Sequence, residues 1–337
     1  MRSLPGKVIK TNVKAELDLR ESAKALVLDI QRFSTEDGPG LRTTVFFMGC
    51  NLVCAWCHNP ESTLFKKQVQ WMGTRCIGCR RCLAACANDG LEFIEEGLTI
   101  DRKKCVACTS CVSACPTGAM EVKGIEWELH DLVHEVLKDR AYFGKDGGVT
   151  LSGGEALMQG LFVEKFLKEL KNKGVHTAVD TAALVPRSTI ERVLPYTDLV
   201  MLDLKLFDAV LHKKFTRMDN GLILENAKFL SDYINIHRRP ELWIRTPIIP
   251  NATNTEENIL AIGNFIRNDL SGTPSKWELC SFNNLCEDKY KRLNLKWDYT
   301  NVPLLRKSEM EHLYQVALNS GVDPDIVTWS GAIMVEN

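Results

Sequence analysis

Hydrophobic positions along the chain follow two patterns that alternate. Short, nearly continuous apolar runs of strand length recur, and between them apolar residues repeat at the spacing of an amphipathic helix. The apolar runs predict strands at 26–30, 42–48, 148–152, 176–180, 198–204, 242–249, 277–282 and 325–329. The helical spacing predicts helices at 127–140, 157–174, 188–194, 256–266 and 308–319, with a further helical region that extends to about residue 233.

Strands that alternate with helices predict a parallel sheet built from right-handed βαβ units. Six such repeats are enough for most of a barrel, but not for the eight units of a closed one. We therefore predict an α/β fold, an incomplete (β/α)6 barrel of the TIM-like kind. Functional side chains in such folds gather at the carboxyl ends of the strands. A cysteine-bearing loop at 49–60, a Gly-Gly-Glu turn at 153–155, Asp180 and Asp203 all lie at such ends.

Composition and charge narrow the class of protein. The 337-residue chain exceeds the usual size of one domain, which predicts a large domain with an insert. A content of 45% apolar and 25% charged residues is typical of a soluble globular protein. The formal net charge of −1 gives no electrostatic case for binding nucleic acid or an anionic membrane. No apolar run has the length of a membrane span, and residues 1–23 lack the apolar core of a signal peptide. We expect a cytoplasmic protein.

The cysteines are strongly clustered. The chain contains 13 of them, and all but Cys280 and Cys286 lie between Cys50 and Cys115. In a chain expected in the cytoplasm, this clustering indicates metal or redox chemistry rather than a disulfide framework. The two outlying cysteines are expected to be buried structural thiols.

Residues 73–123 contain an internal repeat. The pattern Cys-x2-Cys-x2-Cys-x3-Cys occurs twice, and a short apolar segment at 91–94 between the copies predicts a hairpin strand. We predict a small α+β insert. It divides the chain into an amino-terminal extension at 1–23, a core at 24–72 and 124–337, and the insert at 73–123.

The repeated pattern is that of bacterial ferredoxins, in which the fourth cysteine of each run crosses to the other [4Fe–4S] cluster. Pro116 follows the second run as expected, whereas Ala87 stands at that place after the first. Zinc knuckles are the alternative; we favour clusters, because zinc sites usually separate two Cys-x2-Cys pairs. The crossed pattern defines a first thiol set of Cys76, Cys79, Cys82 and Cys115, and a second thiol set of Cys105, Cys108, Cys111 and Cys86.

The loop at 49–60, which we name the cysteine loop, carries Cys50, Cys54 and Cys57. Three thiolates on one tight loop hold three corners of an iron–sulfur cube, which normally takes four, so that one iron lacks a protein ligand. The spacing Cys-x3-Cys-x2-Cys, with Trp56 before the last cysteine, resembles the signature of the radical S-adenosylmethionine (SAM) superfamily. In that superfamily the amino and carboxylate groups of SAM occupy the open iron, and the three cysteines are the catalytic centre.

Further motifs resemble one family of that superfamily, the activating enzymes of glycyl-radical enzymes, which includes the pyruvate formate-lyase activator. The resemblance covers roughly residues 26–285, and the insert points to a subgroup with two added clusters. The motifs that carry it are Asp-Gly-Pro-Gly-Leu-Arg at 37–42, Cys-His-Asn-Pro-Glu at 57–61, Val-Thr-Leu-Ser-Gly-Gly-Glu-Ala at 149–156, Asp-Thr at 180–181, Leu-Val-Met-Leu-Asp-Leu-Lys at 199–205 and Trp-Ile-Arg at 243–245.

The resemblance implies a set of SAM contacts. The Gly-Gly-Glu residues would contact the SAM amino group, although a Gly-Gly pair alone also fits a tight turn. Trp56 and His58 would lie on the cofactor side of the cysteine loop, His58 near the adenine. Lys205 would face SAM or the peptide substrate. Asn283 stands where the family often has a histidine that reaches SAM, and an amide can still hydrogen-bond there. The Gly-Gly-Glu residues are Gly153, Gly154 and Glu155.

The resemblance also implies a monovalent cation, Na⁺ or K⁺, beside the SAM carboxylate. Carboxylate and carbonyl oxygens suit such an ion, and its charge would help to hold the SAM carboxylate. Helix capping is the alternative for the two aspartates, and for the threonine the two interpretations weigh about equally. The implied ligands are Asp180, Thr181, Met201 and Asp203.

The implied activity is the activation of a partner glycyl-radical enzyme under anaerobic conditions, by a chain that is monomeric apart from that partner. SAM is cleaved reductively, and the 5′-deoxyadenosyl radical takes a hydrogen atom from a backbone glycine of the partner. The chain would hold three [4Fe–4S] clusters, and a donor such as flavodoxin or ferredoxin would supply electrons to them. The insert would relay these electrons or support docking. The alternatives are a radical SAM enzyme that acts on a small molecule, and an electron-transfer iron–sulfur protein.

Overall fold

The computed structural model describes residues 24–334; the predicted extension at 1–23 lies outside them. The largest sheet has nine strands in the order β13-β12-β11-β10-β9-β8-β2-β1-β7. Its strands are β1 Lys24–Ser34, β2 Arg42–Phe47, β7 Ile125–Glu128, β8 Gly148–Gly153, β9 His176–Thr181, β10 Leu199–Asp203, β11 Glu241–Ile248, β12 Lys276–Ser281 and β13 Val327–Ser330.

Helices connect most of these strands. Between β7 and β13 they are α3 Leu129–Leu137, α4 Gly160–Asn172, α5 Arg187–Val193, α6 Ala209–Thr216, α7 Gly221–His237, α8 Glu256–Asp269, α9 Glu287–Arg292 and α10 Lys307–Asn319. Gly174, with a φ of +69°, follows the end of α4 as the sequence predicts for a helix stop. Between residues 24 and 334, no helix combines the length and the apolar character that a membrane crossing requires.

The parallel α/β architecture is confirmed, with one edge that differs. Each neighbouring pair from β2 through β8, β9, β10, β11 and β12 to β13 is parallel. At the other edge β1 is antiparallel to β2, and β7 is antiparallel to β1. A short turn joins β1 to β2, and a parallel pair would need a longer crossover connection.

The helix predicted at 127–140 is wrong at its start. Residues Ile125–Glu128 form β7, which pairs with the first residues of β1, and the helix begins only at Leu129. The apolar spacing of Leu132, Val133 and Val136 fixes the buried face of this helix. This spacing carries no information on the preceding residues, which form a strand because they pair with the edge of β1.

The two faces of the sheet differ in polarity. In β11, Leu242, Ile244 and Ile248 are buried and belong to the main core with the apolar face of α4. The alternating residues Trp243 and Arg245 are half-buried on the other face. We name this second face the inner face. It is the side on which the charged residues at the strand ends meet.

The insert is built as a two-fold repeat. Its elements are β3 Gln68–Trp71, α1 Arg81–Ala84, β4 Leu91–Ile94, β5 Gly97–Ile100, α2 Ser110–Ser113 and β6 Met120–Lys123. Each element of the first half recurs at one constant offset, β3 as β5, α1 as α2 and β4 as β6. The halves exchange strands, because β3 pairs with β6 and β4 pairs with β5. The hairpin predicted at 91–94 is confirmed by the second pair.

Candidate active site

The cysteine loop is anchored by distant parts of the chain. Its backbone N–H groups at Val53 and Ala55 donate to the carbonyl oxygens of Thr216 and Phe215, both at 2.9 Å. Trp56 is only 4% exposed and packs against Phe215 with ring centroids 6.1 Å apart. The end of α6 therefore fixes the loop backbone, and Trp56 contributes to the core.

The three thiols of the loop are half-buried and influence one another. Burial raises the pKa of Cys54 to about 12, although Lys205 lowers it, and burial raises the pKa of Cys57 to about 11. The pKa of Cys50 is raised by burial and by the neighbouring Cys54 and Cys57 thiols. Three thiols on one loop, neutral without metal, match the donor set of an iron–sulfur site, because iron binding compensates the cost of their deprotonation.

The Gly-Gly-Glu turn lies directly beside the start of the cysteine loop. Gly154 N donates to Phe47 O at 2.9 Å, and Glu155 N donates to Gly49 O at 2.8 Å. A Cβ at Gly153, where φ is +121°, would lie 2.2 Å from Phe47 N, and one at Gly154 would lie 2.2 Å from Gly49 O. Both glycines are thus required by close backbone approach, and that approach brings the turn to Cys50.

The carboxylate of Glu155 is fully used inside the protein. Glu155 is 1% exposed, and its carboxylate accepts hydrogen bonds from Thr181 Oγ1 at 2.8 Å, Ala182 N at 3.0 Å and Leu157 N at 3.1 Å. Burial raises the pKa of Glu155 to about 7. Glu155 was predicted to contact the SAM amino group and Thr181 the cation. The two residues instead form hydrogen bonds to each other and join the ends of β8 and β9.

Asp180 presents an oxygen without a hydrogen-bond partner to the inner face. Its Oδ2 accepts from Ser152 Oγ at 2.7 Å, while the buried Oδ1 lies 3.7 Å from Arg245 Nη1 and accepts no hydrogen bond from a described residue. Burial raises the pKa of Asp180 to about 6, against the attraction of Arg245. Met201 stands beside Asp180 in the register of β9 and β10. A buried carboxylate oxygen that accepts no hydrogen bond fits a bound cation.

Asp203 and Lys205 form an ion pair at the end of β10, with side chains 26% and 11% exposed. Burial opposes the charge on Lys205, but Asp203 and the Cys54 thiol raise its pKa. The ammonium group is therefore held charged between a carboxylate and a predicted cluster ligand.

Within residues 24–334, no three His, Cys, Asp or Glu side chains form a set that could hold a single metal ion.

The structure brings His58 and Asn283 together. His58 Nε2 lies 3.0 Å from the backbone oxygen of Asn283, and burial lowers the pKa of His58. The side-chain oxygen of Asn283 accepts from Leu285 N at 3.2 Å. Both the backbone oxygen and the side chain of Asn283 thus interact with His58 of the cysteine loop.

Several site residues were missed by the sequence analysis. Tyr290 Oη donates to Cys57 O at 2.9 Å, and Lys289 Nζ pairs with Glu61 Oε1 at 3.2 Å. No short motif marks this region, so no sequence signal was available for Tyr290 and Lys289. Cys280 is half-buried rather than buried. The strict alternation in β12, where Leu279 faces the core, would have placed Cys280 on the inner face.

The thiols of the insert follow the two-fold repeat. Cys82 and Cys111 are 8% and 7% exposed, while Cys79 and Cys108 are exposed in both halves. Besides burial, Cys115 and Cys76 raise the pKa of Cys82, which indicates that these three thiols are neighbours. Members of the second thiol set line one small cavity together with Val69: Cys86, Cys105, Cys108 and Cys111.

Backbone N–H groups also point at these sulfurs. Gly78 N donates to Cys76 Sγ at 3.4 Å, and Gly90 N donates to Cys86 Sγ at 3.3 Å. Hydrogen bonds to the ligand sulfurs are a feature by which proteins tune iron–sulfur clusters. The donor chemistry and the convergence of the second thiol set therefore fit a [4Fe–4S] group.

Comparison with solved structures shows the fold of the chain. A radical SAM methyltransferase from Sphaerobacter thermophilus has a TM-score of 0.50 and 13% identity, covering 98% of this chain and 83% of that one. Streptococcus suis SuiB, bound to precursor peptide SuiA, also has a TM-score of 0.50 and 13% identity, covering 98% of this chain and 55% of its own. At this identity the likeness concerns the fold alone: the chain has the radical SAM α/β fold.

Sequence relatives define the family. The trans-4-hydroxy-L-proline dehydratase activating enzyme of Clostridioides difficile is 40% identical over 287 residues, 84% of this chain and 92% of that protein. The (2S)-3-sulfopropanediol dehydratase activating enzyme of Klebsiella oxytoca is 37% identical over 306 residues, covering 89% and 95%. The pyruvate formate-lyase 2-activating enzyme of Escherichia coli (strain K12) is 33% identical over 325 residues, covering 96% and 98%.

The chain belongs to the glycyl-radical enzyme activating enzymes. A family described as 4Fe-4S dicluster domain matches residues 75–119, within the predicted insert. The protein is thus a radical SAM oxidoreductase that uses a [4Fe–4S] cluster to cleave SAM reductively and activates a partner glycyl-radical enzyme. The predicted family and activity are confirmed.

Proposed function

We propose that Cys50, Cys54 and Cys57 hold the cluster that cleaves SAM, and that the neighbouring strand ends position SAM on it. The observation that carries this proposal is the pair of hydrogen bonds from the Gly-Gly-Glu turn to Phe47, at the end of β2, and to Gly49, the first residue of the cysteine loop. When bound, the cluster supplies the electron that converts SAM to methionine and the 5′-deoxyadenosyl radical. The residues of the chain bind, orient and shield the reactants.

The Gly-Gly-Glu turn would bind the SAM amino group through its backbone, while the Glu155 side chain holds the turn in place. Because the Glu155 carboxylate already accepts three kinds of internal hydrogen bond, we assign the SAM contact to the backbone of the turn. The Glu155 side chain is then a positioning group that fixes the turn against Thr181. His58 and Asn283, which contact each other at the other side of the loop, would border the adenine.

We assign the SAM carboxylate neighbourhood to the ends of β9 and β10. The Oδ1 of Asp180, which accepts no hydrogen bond, is a ligand for Na⁺ or K⁺, with Met201, Asp203 and Thr181 as further oxygen donors. The Thr181 hydroxyl is engaged with Glu155, so this residue would contribute its carbonyl oxygen. Lys205, charged beside Cys54, would balance the negative charge of the thiolates and of the substrate.

The chain as a whole would be an incomplete (β/α)6 barrel at 24–72 and 124–337 with a ferredoxin-like insert at 73–123. The insert would hold two [4Fe–4S] clusters in the first and second thiol sets, which makes three clusters with that of the cysteine loop. The dicluster family match at 75–119 and the cavity lined by the second thiol set support this assignment.

The partner would present its glycine on a peptide segment that enters along the inner face. On this face Arg245 pairs with Glu278, and Lys276 lies over the ring of Trp243. These side chains offer polar and aromatic contacts to such a segment. We propose a flavodoxin or ferredoxin as electron donor, a monomeric chain apart from its partner, and a cytoplasmic location.

The test is SAM cleavage by the reconstituted protein in the absence of oxygen. Reduced with dithionite and mixed with SAM, the wild type is expected to form 5′-deoxyadenosine, and Cys54→Ala is expected to form none. Ser188→Ala, at an exposed position of α5 outside the three thiol sets, is the control and should retain the product. Product formation by Cys54→Ala would contradict the assignment of the catalytic centre.

A further inference from the structure

Helix α9 lies between the cysteine loop and the insert and contacts both. On the side of the loop, Tyr290 Oη donates to Cys57 O at 2.9 Å, and Lys289 Nζ donates to His58 O at 3.0 Å. Both acceptors are backbone oxygens of the loop itself. The helix is therefore attached to the backbone that carries the third catalytic thiol.

On the side of the insert, Arg292 continues the connection. Its Nη1 lies 3.1 Å from Met72 Sδ, and its backbone oxygen accepts from Arg102 Nη2 at 3.3 Å. The other Nη of Arg102 donates to the backbone oxygen of Val69. Val69 lines the cavity of the second thiol set, and Arg102 stands three residues before Cys105. A chain of direct contacts thus joins Cys57 to the second thiol set.

The two-fold repeat makes the first thiol set a built-in comparison. Arg102 corresponds to Gly73 in the first half, which has no side chain with which to reach α9. The arginine close to the first set, Arg75, instead pairs with Glu121 on the insert's own strand β6. The first half meets α9 only through the contact of Met72 with Arg292, whereas an arginine of the insert itself reaches α9 in the second half alone.

The direction of the β3–β6 ribbon also places the second thiol set closer to the core than the first. The ribbon of β3 and β6 leaves the core at the pair Gln68 and Lys123 and ends at the pair Trp71 and Met120. Two members of the first thiol set, Cys76 and Cys115, follow and precede that far end. The second thiol set instead borders Val69, near the end of the ribbon that joins the core.

We propose that the second thiol set is the inner cluster site, that the first thiol set is the outer one, and that Arg102 and α9 hold the inner site against the cysteine loop. This inference rests on the proposed three-cluster function. One electron from an external flavodoxin or ferredoxin would pass through the outer and then the inner site, and its arrival at the SAM site breaks the C5′–S bond. Arg102, Tyr290 and Arg292 are positioning residues in this arrangement.

Two double variants test the order of the sites in the reconstituted full chain. Cys76→Ala/Cys79→Ala removes the first set, and Cys105→Ala/Cys108→Ala removes the second; iron and sulfide contents establish which clusters remain. The readout is the magnetic broadening of the electron paramagnetic resonance (EPR) signal from the cluster of the cysteine loop when the remaining insert cluster is also reduced. We expect the broadening to persist without the first set and to be lost without the second. Equal broadening in both variants, or the reverse order, would overturn the proposal.

A third variant keeps all eleven cluster thiols and therefore does not depend on the folding of a cluster-depleted insert. Arg102→Ala is expected to weaken the broadening and to slow the SAM-dependent oxidation of the insert clusters in rapid-freeze spectra. Lys103→Ala, an exposed basic neighbour, is the matched control and should match the wild type. A spectrum of Arg102→Ala identical to that of Lys103→Ala would remove Arg102 from the arrangement.

Dithionite-driven SAM cleavage separates this inference from the proposed function. A wild type that forms no 5′-deoxyadenosine with dithionite would contradict the catalytic assignment. A wild type that forms the product, but whose broadening follows the first thiol set, contradicts only the order of the two insert sites.

Discussion

The cysteine loop is held by residues far away in the sequence, whereas the thiols of the insert are held by a repeat that folds on itself. The loop backbone is bonded to Thr216 and Phe215 on one side and to Tyr290 and Lys289 on the other. In the insert, the N–H groups that reach the sulfurs lie two or four residues from the cysteine, as in Gly78 to Cys76.

This difference determines how each region responds to change. A loop held by long-range contacts depends on several strand ends remaining in register, so a single clash at its base is expected to affect all three thiols. A repeat whose two halves exchange strands and thiols with each other confines the effect of a substitution to the insert. The predictions below compare the two regions, from the largest expected effect to the smallest.

The largest effect is expected at the base of the cysteine loop. Gly154→Ala would place a Cβ 2.2 Å from Gly49 O, where only a shift of the backbone can make room. We expect a cost at the upper end of about 1–3 kcal/mol and the loss of dithionite-driven SAM cleavage. Gly118→Ala in the insert meets nothing within 4 Å and is the control, with a cost of about 1–2 kcal/mol for its positive φ. Its SAM cleavage should be retained; equal loss in both variants would contradict the comparison.

The second effect is a dependence of stability on pH that originates at the same loop base. The folded-state pKa of Glu155 is raised to about 7 from an ordinary value near 4.5, so the folded protein binds a proton more tightly than the unfolded chain. The contribution of Glu155 to the free energy of unfolding should therefore fall as pH rises from about 4.5 to about 7. Urea unfolding of the metal-free protein at both ends of this range measures the fall.

Glu155→Gln is the variant that isolates this dependence. It is expected to lose this contribution over the same pH range. Asp180, whose pKa is raised to about 6, adds a fall of its own, and the lowered pKa values of His58, His176 and His212 act in the opposite direction in both proteins. The same pH dependence in Glu155→Gln and in the wild type would show that Glu155 makes no such contribution.

A smaller effect is expected where α9 meets the loop. Tyr290→Phe removes the hydrogen bond to Cys57 O and leaves that oxygen without this donor, which costs about 0.5–1.5 kcal/mol in urea unfolding. Tyr142→Phe is the control, because Tyr142 is 59% exposed and packs edge-on against Phe33. A stability of Tyr290→Phe equal to that of the control would mean that the hydrogen bond does not stabilise the loop.

The smallest effect is expected on the surface of the insert. Arg75 pairs with Glu121, with side chains 53% and 25% exposed. Because exposed ion pairs contribute little, Arg75→Ala should change the free energy of unfolding by less than about 1 kcal/mol. The iron content of the insert should stay unchanged. A loss of iron comparable to that of a cysteine variant would show that the insert is not held by its local repeat.

The same contrast explains what the sequence predicted. The repeat, its hairpin at 91–94 and the parallel strands were predictable, because their signals are periodicities within short segments. The strand β7 was not, because its residues are recruited by the edge of β1, and pairing between distant edges leaves no periodic trace.

At the candidate site, the motif residues were predictable but their partners were not. Glu155 was identified as a SAM contact, yet its hydrogen bonds to Thr181 and Ala182 became visible only when β8 and β9 were placed side by side. Tyr290 and Lys289 lie in a segment without a recognisable pattern, more than 200 residues from the cysteines that they support.

The most direct test of the catalytic assignment is the binding of labelled SAM to the reduced protein. We predict that ¹⁷O in the SAM carboxylate and ¹⁵N in its amino group give hyperfine couplings to the cluster EPR signal in the wild type. The couplings should persist in Cys76→Ala/Cys79→Ala, which alters only the insert, and should be absent in Cys54→Ala. Couplings that persist in Cys54→Ala, or that disappear with the insert cysteines, would contradict the assignment of Cys50, Cys54 and Cys57 as the SAM site.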